Sequence, residues 1–491
     1  MSAEVSGQLK SSAVGTSGIV FFVVAAAAPL GATLGAGPVA FSANGTGAPG
    51  MYLVAGVVLL LFAVGYAAMS RHLTSAGGFT AYIAAGLGDR AGHASAGIAL
   101  LAYNCMLLGL FGQFGVFAAD LLARYGVEVT WQVPAVVALL AVGVLGYLEV
   151  NLSAKVLGVL MIAEVLILLV FDAVVISRGG SEGLNVDAFA PSNVLSGTPG
   201  IALLFAFTCF VGFEATTIYG EEARDPHRTV PRATYVAVIL IGIFYTLTTW
   251  AIGLAHGPDA QSAAAEDPVG FVTTANTAFV GALSTEVMEI LVVTSVFAVL
   301  LAFHNTLSRY MFSLGRAGLL PPALGNTHHR FHSPHRASVV QSVLTLAVLG
   351  AFMAAGADPF AQLYSWLVGL GTIAVLTLQA AVAVAVVVYF RRRAGRGGFW
   401  QTMVAPMLGA VGLGGGIVLA LANFDVLTGI TGGPASLLPW LIPVAGVLSL
   451  AAGAVASLRR SPVRLVAPVV NSAGFAAKTP VAGSPEGRPV D

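Results

Sequence analysis

Residues 199–234 read PGIALLFAFTCFVGFEATTIYGEEARDPHRTVPRAT, and this stretch decides the fold. Its apolar first part carries Gly212 and Glu214 near the middle and ends in the charged run 221–228. An ionisable group at mid-depth in a bilayer costs about 3 kcal/mol or more, so a simple membrane anchor has no use for one. Glycine beside it lets the backbone leave the helix, which is tolerated at that depth only where protein or a water-filled cavity surrounds it. The stretch therefore predicts a broken helix at a polar site inside a membrane protein.

Composition supports the membrane setting. Hydrophobic residues make up 57% and charged residues 9% of the 491 positions, against about 25% charged in soluble domains. Apolar segments of about 18 residues or more recur along the chain, each long enough to cross a bilayer core of roughly 30 Å. We count twelve such spans, at about 17–41, 49–70, 91–122, 132–149, 153–176, 199–220, 232–255, 283–313, 338–356, 361–390, 401–422 and 436–457.

The basic residues predict the orientation. Of the 22 Lys and Arg residues, only Arg124 and Arg178 fall in connections that follow odd-numbered spans. The positive-inside rule then places both termini in the cytoplasm of a protein integral to the cell membrane. We expect a short cytoplasmic segment over 1–16, a transporter domain over 17–457 and a disordered cytoplasmic tail over 458–491, which is rich in Pro, Gly and Ser.

The first span, like the sixth, contains helix-breaking residues within an apolar segment. It reads GIVFFVVAAAAPLGATLGAGPVAF over 18–41, with five Gly and Pro residues within ten positions. A kinked or tightly packed helix would explain this span alone. Interrupted spans 1 and 6 together indicate an inverted repeat of five plus five spans, with the substrate bound where the broken helices meet. The fold class is then an all-α membrane protein with repeats over about 17–176 and 199–390, followed by two additional helices over 401–457.

Three motifs occur in order along the chain and resemble those of the amino acid–polyamine–organocation (APC) superfamily of permeases. The resemblance covers about 15–457. Two departures from the family pattern are Thr80 in place of Tyr and Ala317 in place of Asp. The motifs are Phe210-Val211-Gly212-Phe213-Glu214 followed by Glu221-Glu222, Pro226, Arg228 and Val230-Pro231-Arg232-Ala233; Ser75-Ala76-Gly77-Gly78-Phe79-Thr80-Ala81-Tyr82; and Asn305 with Ser308-Arg309-Tyr310 and Gly315-Arg316-Ala317-Gly318-Leu319-Leu320-Pro321.

The resemblance implies an amino acid transporter that works by alternating access. The substrate carboxylate would contact main-chain N–H groups of the span 1 break, at 28–31 or at 35–37. The amino group would contact carbonyl groups near both breaks, and selectivity would come from spans 3, 6, 8 and 10. The substrate-binding candidates are Ala28, Pro29, Leu30, Gly31, Ala32, Thr33, Gly35, Ala36, Gly37, Asn104, Phe207, Thr208, Cys209, Phe210, Val211, Gly212, Phe213 and Phe297.

Each candidate also has a purely structural interpretation. The aromatic residues could pack or face lipid, and Asn104 could form an interhelical hydrogen bond. Cys209 sits beside the span 6 break, but with Cys105 it could be only a small packing residue. The four histidines between 328 and 335 are interpreted as a solvated cytoplasmic loop, because the arginines among them would repel a metal ion.

Two intramembrane acids, Glu164 and Glu214, are candidates for coupling or gating. Glu214 could be a protonatable gate or an acceptor that holds spans 1 and 6 together. Glu164 of span 5 lies where some proton-coupled relatives carry a lysine, so it could exchange a proton or be a structural acid. Asp172, nearer the outer end of span 5, is expected to be wetted by solvent.

Other classes of protein fit the sequence less well. A channel would have no reason for two broken helices, and no catalytic constellation of an enzyme is present. We favour proton-coupled uptake, with an amino acid or polyamine exchanger or a sodium-coupled symporter as alternatives. The expected partners are a small amine or amino acid substrate, protons or sodium, and the lipid bilayer. No cofactor, bound metal or nucleic acid is expected, and the oligomeric state stays open.

Overall fold

The computed structural model describes residues 15–73, 78–148, 154–218, 223–328, 333–392, 398–429 and 433–459. These residues form helices and contain no strand. The α-helices are α1 Thr16–Ala26, α2 Pro29–Asn44, α3 Ala48–Ser70, α4 Gly78–Leu87, α5 Asp89–Arg124, α6 Gln132–Tyr147, α7 Ala154–Arg178, α8 Pro191–Val194, α9 Pro199–Thr208, α10 Ala215–Ile218, α11 Pro226–His256, α12 Ala260–Glu266, α13 Phe271–Phe279, α14 Ala282–Ala317, α15 His335–Ala354, α16 Ser365–Arg392, α17 Ala405–Ala422, α18 Phe424–Thr428 and α19 Leu441–Arg459.

Nine helical stretches within these residues are long and apolar enough to cross a membrane. The protein is therefore an all-helical integral membrane protein. Three further apolar helices, α4, α6 and α9, are shorter than 18 residues. The count of twelve spans stays a prediction, because several predicted spans are interrupted or shorter than a full crossing. The predicted tail beyond 459, the motif residues 75–77 and the pair Glu221-Glu222 lie outside the described residues.

The first interruption separates α1 from α2 at residues 27–28. Ala28 has φ 42° and ψ 72°, and no other non-glycine residue in the described ranges has a positive φ. A left-handed alanine is strained by roughly 1–2 kcal/mol. Pro29 then begins α2, a position where its missing N–H costs nothing. Of the two break positions that the sequence offers, the structure has the earlier one, and the glycines at 35 and 37 lie inside a continuous α2.

The second interruption separates α9 from α10 at residues 209–214. After Thr208 the backbone leaves the α-helix through tight turns, in which the Phe210 amide donates to the Phe207 carbonyl at 3.0 Å. Gly212 has φ 110°, a conformation that side-chain-bearing residues rarely adopt. Glycine within the apolar segment thus permits the break that the sequence predicts there.

The two interrupted helices lie side by side. α2 packs against α9, and α3 packs along α11. Around them, α5 contacts both α14 and α16, while α7 contacts α11 and α14. This arrangement brings five segments, α2, α9, α5, α14 and α16, to one place in the interior.

Candidate functional site

A cavity lies where the two interruptions meet. Its volume is about 70 Å³, and since a single water needs about 10–15 Å³ on this measure, there is room for several non-hydrogen atoms. It is lined by Ala27, Ala28, Gly31, Ala32, Met106, Leu110, Gln113, Thr208, Val211, Val296, Val299, Phe303, Tyr364 and Val368. The lining comes from both interruptions and from α5, α14 and α16, at or beside the predicted spans 3, 8 and 10.

The N-terminus of α2 opens onto this cavity. The Leu30 amide donates a hydrogen bond of 3.3 Å to Oε2 of Glu164 on α7. The neighbouring Gly31 lines the cavity, and its amide makes no hydrogen bond within the described part of the chain. Free amides at a helix N-terminus, together with the positive end of the helix dipole, attract an anion. This helix end can therefore hold a carboxylate.

The carbonyl groups at the same break are partly occupied. Gln113 of α5, which is buried, donates from Nε2 to the Gly31 carbonyl at 2.7 Å. The Tyr245 hydroxyl of α11 donates to the Ala27 carbonyl at 3.2 Å. The Ala27 carbonyl is a backbone group that the interruption releases from the helix, and the Gly31 carbonyl lies in the first turn of α2. Gln113 and Tyr245 thus bond the two sides of the break and fix its shape.

Gly35 has a packing role one turn further along α2. A Cβ atom added there would collide with the Tyr364 hydroxyl and would lie 2.6 Å from Nε2 of Gln113. At Gly37 an added Cβ would meet nothing within 4 Å. Because residue 35 is a glycine, Gln113 and Tyr364, two polar side chains that line the cavity, can pack directly against α2.

Glu214 stabilises the second interruption. Its Oε2 accepts from the Gly212 amide at 2.9 Å, and its Oε1 accepts from the Tyr103 hydroxyl of α5 at 2.9 Å. Tyr66 of α3 also donates to the Glu214 carbonyl at 3.1 Å. The acid is an acceptor within the break, as one of the two interpretations has it. Within the described residues, however, the partners of its carboxylate are on α5 and in its own turn, and none is on span 1.

The cavity lining combines polar and apolar groups. Gln113, Tyr364 and Thr208 contribute polar groups, and the Thr208 hydroxyl lies 2.7 Å from that of Thr372 on α16. The larger apolar side chains of the lining are Met106, Leu110, Val296, Val299, Phe303 and Val368. The described residues of the lining include no Asp, Glu, Lys or Arg. Such a site favours a ligand with a polar end and an uncharged, apolar end.

The structure brings only some of the predicted site residues to the cavity. Ala28, Gly31, Ala32, Thr208 and Val211 line it. The remaining candidates lie in the surrounding packing: Pro29, Leu30, Thr33, Gly35, Ala36, Gly37, Asn104, Phe207, Cys209, Phe210, Gly212, Phe213 and Phe297.

Several of these have identifiable packing roles. Asn104 accepts from Nε2 of Gln341 on α15 at 2.8 Å, so it forms an interhelical hydrogen bond. The ring of Phe213 packs edge-on against Phe62. The thiol of Cys209 is buried, 3.9 Å from the Ala32 carbonyl.

A helical membrane protein whose cavity lies between two interrupted helices has the architecture of a secondary transporter. Comparison with known proteins gives the family: residues 18–444 match the amino acid permease family, and the chain belongs to it, within the APC superfamily. The protein is thus a permease and not an enzyme.

Sequence identity to three individual relatives is 23–27%. The chain is 27% identical to the branched-chain amino acid permease BcaP of Bacillus subtilis, over 74% of this chain and 79% of the relative. It is 27% identical to BcaP of Lactococcus lactis, over 73% and 78%. It is also 23% identical to the methylthioribose transporter of Bacillus subtilis, over 69% and 72%.

Proposed function

We propose that this permease is a proton-coupled importer of neutral amino acids with aliphatic side chains, working by alternating access. The observation that carries the proposal is the hydrogen bond between the Leu30 amide and Glu164, one residue from the cavity lining. Binding of the substrate carboxylate and proton coupling would then both take place at the same helix end.

The substrate's charged groups would be held by the interrupted helices. Its carboxylate would bind at the N-terminus of α2, where the Gly31 amide has no hydrogen-bond partner among the described residues. Its ammonium group would face main-chain carbonyls at the two breaks, beside Thr208. This placement uses backbone groups common to all amino acids, so it carries no selectivity between them.

Selectivity would come from the apolar side chains of the lining. The side chains of Met106, Val296 and Val368 offer apolar surface, and each buried methylene contributes about 0.8 kcal/mol. A cationic or anionic substrate side chain would meet no opposite charge from the described lining, which disfavours it. The two BcaP relatives, named branched-chain amino acid permeases, support this choice. The methylthioribose transporter among the relatives makes that thioether sugar the alternative to test.

Coupling would arise because Glu164 and the substrate carboxylate share one helix N-terminus. Two negative charges about 6 Å apart, at an effective dielectric constant of about 20, repel by roughly 3 kcal/mol. A proton on Glu164 removes that repulsion, so proton and substrate bind cooperatively. Each then promotes occupancy of the other, which is what symport requires.

The finer features of the fold belong to the same proposal. We infer twelve spans, with a five-plus-five inverted repeat and two additional helices. Contacts between α2 and α9, between α3 and α11 and between α5 and α14 support the repeat, since each pair joins one predicted span to its counterpart five spans later.

We further infer that the protein lies in the cell membrane with both termini in the cytoplasm. Glu182→Cys, after α7, should react with an impermeant thiol reagent added outside intact cells, whereas Ala323→Cys, after α14, should react only in opened membranes. Both positions are exposed, and the two native cysteines are buried. Reaction of Ala323→Cys from outside would contradict this orientation.

Uptake by the purified protein in proteoliposomes tests the transport proposal. Leucine, isoleucine and valine should accumulate when the outside is more acidic than the inside. Lysine, glutamate, putrescine and methylthioribose should compete poorly. Accumulation driven by a sodium gradient at equal pH would favour the sodium symporter. Exchange without any gradient-driven accumulation would favour the exchanger.

A further inference from the structure

Asp172 on α7 is a buried acid, and the prediction that solvent wets it is wrong. Only 2% of its surface is exposed. Its Oδ2 accepts a hydrogen bond of 2.9 Å from the Thr248 hydroxyl of α11. Its Oδ1 has no hydrogen-bond partner in the described ranges. It is buried because α11 covers this face of α7.

Asp172 and Glu164 share one face of α7. They are eight residues apart, a spacing that keeps side chains on the same side of a helix, about 12 Å apart along its axis. Leu168 and Val175, both buried, mark the same stripe. The stripe thus carries two acids, one beside the substrate cavity and one nearer the Arg178 end of the helix.

Two hydroxyl groups of α11 bond at the levels of the two acids. Tyr245 and Thr248 are three residues apart, so they share a face of α11. The Thr248 hydroxyl bonds Asp172, and the Tyr245 hydroxyl bonds the Ala27 carbonyl at the break where Glu164 also bonds. From the Arg178 end inward, the groups of the two helices are therefore Asp172, the Thr248 hydroxyl, the Tyr245 hydroxyl and Glu164.

No charged partner for Asp172 is present on the neighbouring helices, as far as the structure describes them. The sequences of α1, α2 and α13 contain no ionisable residue. In the halves of α11 and α14 that lie closest to Asp172, each ionisable group contacts another partner. These pairs are Tyr245 with the Ala27 carbonyl, His256 with the Phe271 carbonyl, Glu286 with the Tyr125 hydroxyl and Glu289 with the Arg124 guanidinium. A negative charge on Asp172 is thus uncompensated, and binding a proton offsets its cost.

We propose that Asp172 is the outer proton relay of this transporter and delivers protons to Glu164. The Asp172 carboxylate takes up one proton from the external solution, on the Arg178 side. In the proposed step the Thr248 hydroxyl turns from Asp172 towards Tyr245, and the Tyr245 hydroxyl turns from the Ala27 carbonyl towards the Glu164 carboxylate. Each hydroxyl then accepts one proton and gives up its own, so the proton reaches Glu164 and Asp172 returns to the carboxylate. The inference rests on the proposed proton coupling and adds a route to it.

Proteoliposome kinetics with a matched pair of variants test the relay. Thr248→Val keeps the shape of the side chain and removes the hydroxyl that contacts Asp172. Thr249→Val is the control, because the Thr249 hydroxyl bonds the Tyr245 carbonyl of its own helix at 2.6 Å and both threonines are fully buried. The rate of leucine uptake driven by a pH gradient should fall on the order of 100-fold in Thr248→Val and Asp172→Asn, as expected when a positioned proton-transfer group is lost. Thr249→Val should keep the unmodified rate.

Counterflow exchange separates a relay from a merely structural role, because exchange needs no net proton movement. It should stay within about twofold of the unmodified protein in all three variants. Equal losses of driven uptake and exchange would overturn the relay, as would full driven uptake in Thr248→Val. If Asp172→Asn does not insert into the membrane, the threonine pair decides alone. If Glu164→Gln loses uptake driven by a pH gradient while Asp172→Asn keeps it in full, the relay is contradicted and the proposed function stands. If Glu164→Gln keeps this uptake in full, both the relay and the proposed proton coupling are contradicted.

Discussion

The Leu30 amide of α2 and the Glu164 carboxyl of α7 are joined by a hydrogen bond of 3.3 Å. This bond places an acid at a helix end that would otherwise attract only the substrate carboxylate. The next residue along, Gly31, lines the cavity. Protonation of the Glu164 carboxyl can therefore change the affinity for a substrate carboxylate directly, without an intervening chain of contacts.

The glycines of α2 give a first prediction. Gly35→Ala should abolish leucine uptake, because its methyl group collides with the Tyr364 hydroxyl and the Gln113 amide. Gly37→Ala should transport normally, since nothing lies within 4 Å of the added atom. Uptake normalised to the amount of protein in the membrane measures both. Equal rates in the two variants would show that the contact of Tyr364 with α2 is unimportant for transport.

The second interruption gives another prediction. Gly212→Leu should lose substrate binding and lower the melting temperature, because a side chain at φ 110° strains the backbone by about 1 kcal/mol or more. Gly414→Leu on α17 is the control, as an added Cβ there meets nothing within 4 Å. Leucine binding to the detergent-solubilised variants reports the effect. Binding by Gly212→Leu with unchanged affinity would place the site elsewhere.

Removing one hydroxyl should loosen the same break. Tyr103→Phe leaves Oε1 of the buried Glu214 without its donor, and an unsatisfied buried polar group costs about 1–3 kcal/mol. We expect a lower melting temperature and slower exchange. Tyr310→Phe, which loses a bond of 3.2 Å to the Ala96 carbonyl of α5, is the control and should slow exchange less. The reverse order of the two exchange rates would contradict a role for Glu214 in shaping the break.

The apolar side chains of the lining should set the size of the substrate. Val299→Trp fills the cavity, so it should exclude leucine and retain more uptake of alanine or glycine. Val287→Trp, on an exposed part of the same helix, should leave both unchanged. Competition of unlabelled amino acids against labelled leucine or alanine gives the ranking. A Val299→Trp variant with the unmodified ranking would show that the side-chain pocket is not at α14.

Sequence patterns predicted the helical class, the two interruptions and the helices that surround the site. They could not predict which side of each helix faces the cavity, because that depends on packing between distant segments. Asn104 and Gln113 illustrate this: both are amides within α5, yet Asn104 bonds Gln341 on α15 and Gln113 reaches the break in α2. A buried amide needs a hydrogen-bond partner, and this argument, applied to every amide within α5, could have found Gln113.

Other features had no usable signal in the sequence. Tyr364 is the last residue of a π-helical turn over Pro359–Tyr364, and its contact with Gly35 joins segments more than three hundred residues apart. Asp172 was expected at the surface because it lies near a helix end, and only the packing of α11 explains its burial. In each case the missing information was a long-range contact.

The most direct test measures leucine affinity against pH in the purified protein and in Glu164→Gln. In the unmodified protein the affinity should be highest at low pH, where Glu164 carries a proton, and should fall as pH rises and the charged carboxylate repels the substrate. Repulsion of roughly 3 kcal/mol corresponds to a loss on the order of 100-fold. Glu164→Gln keeps an acceptor for the Leu30 amide but cannot ionise, so its affinity should stay high and independent of pH. A Glu164→Gln variant whose affinity follows pH as the unmodified protein does would contradict the account.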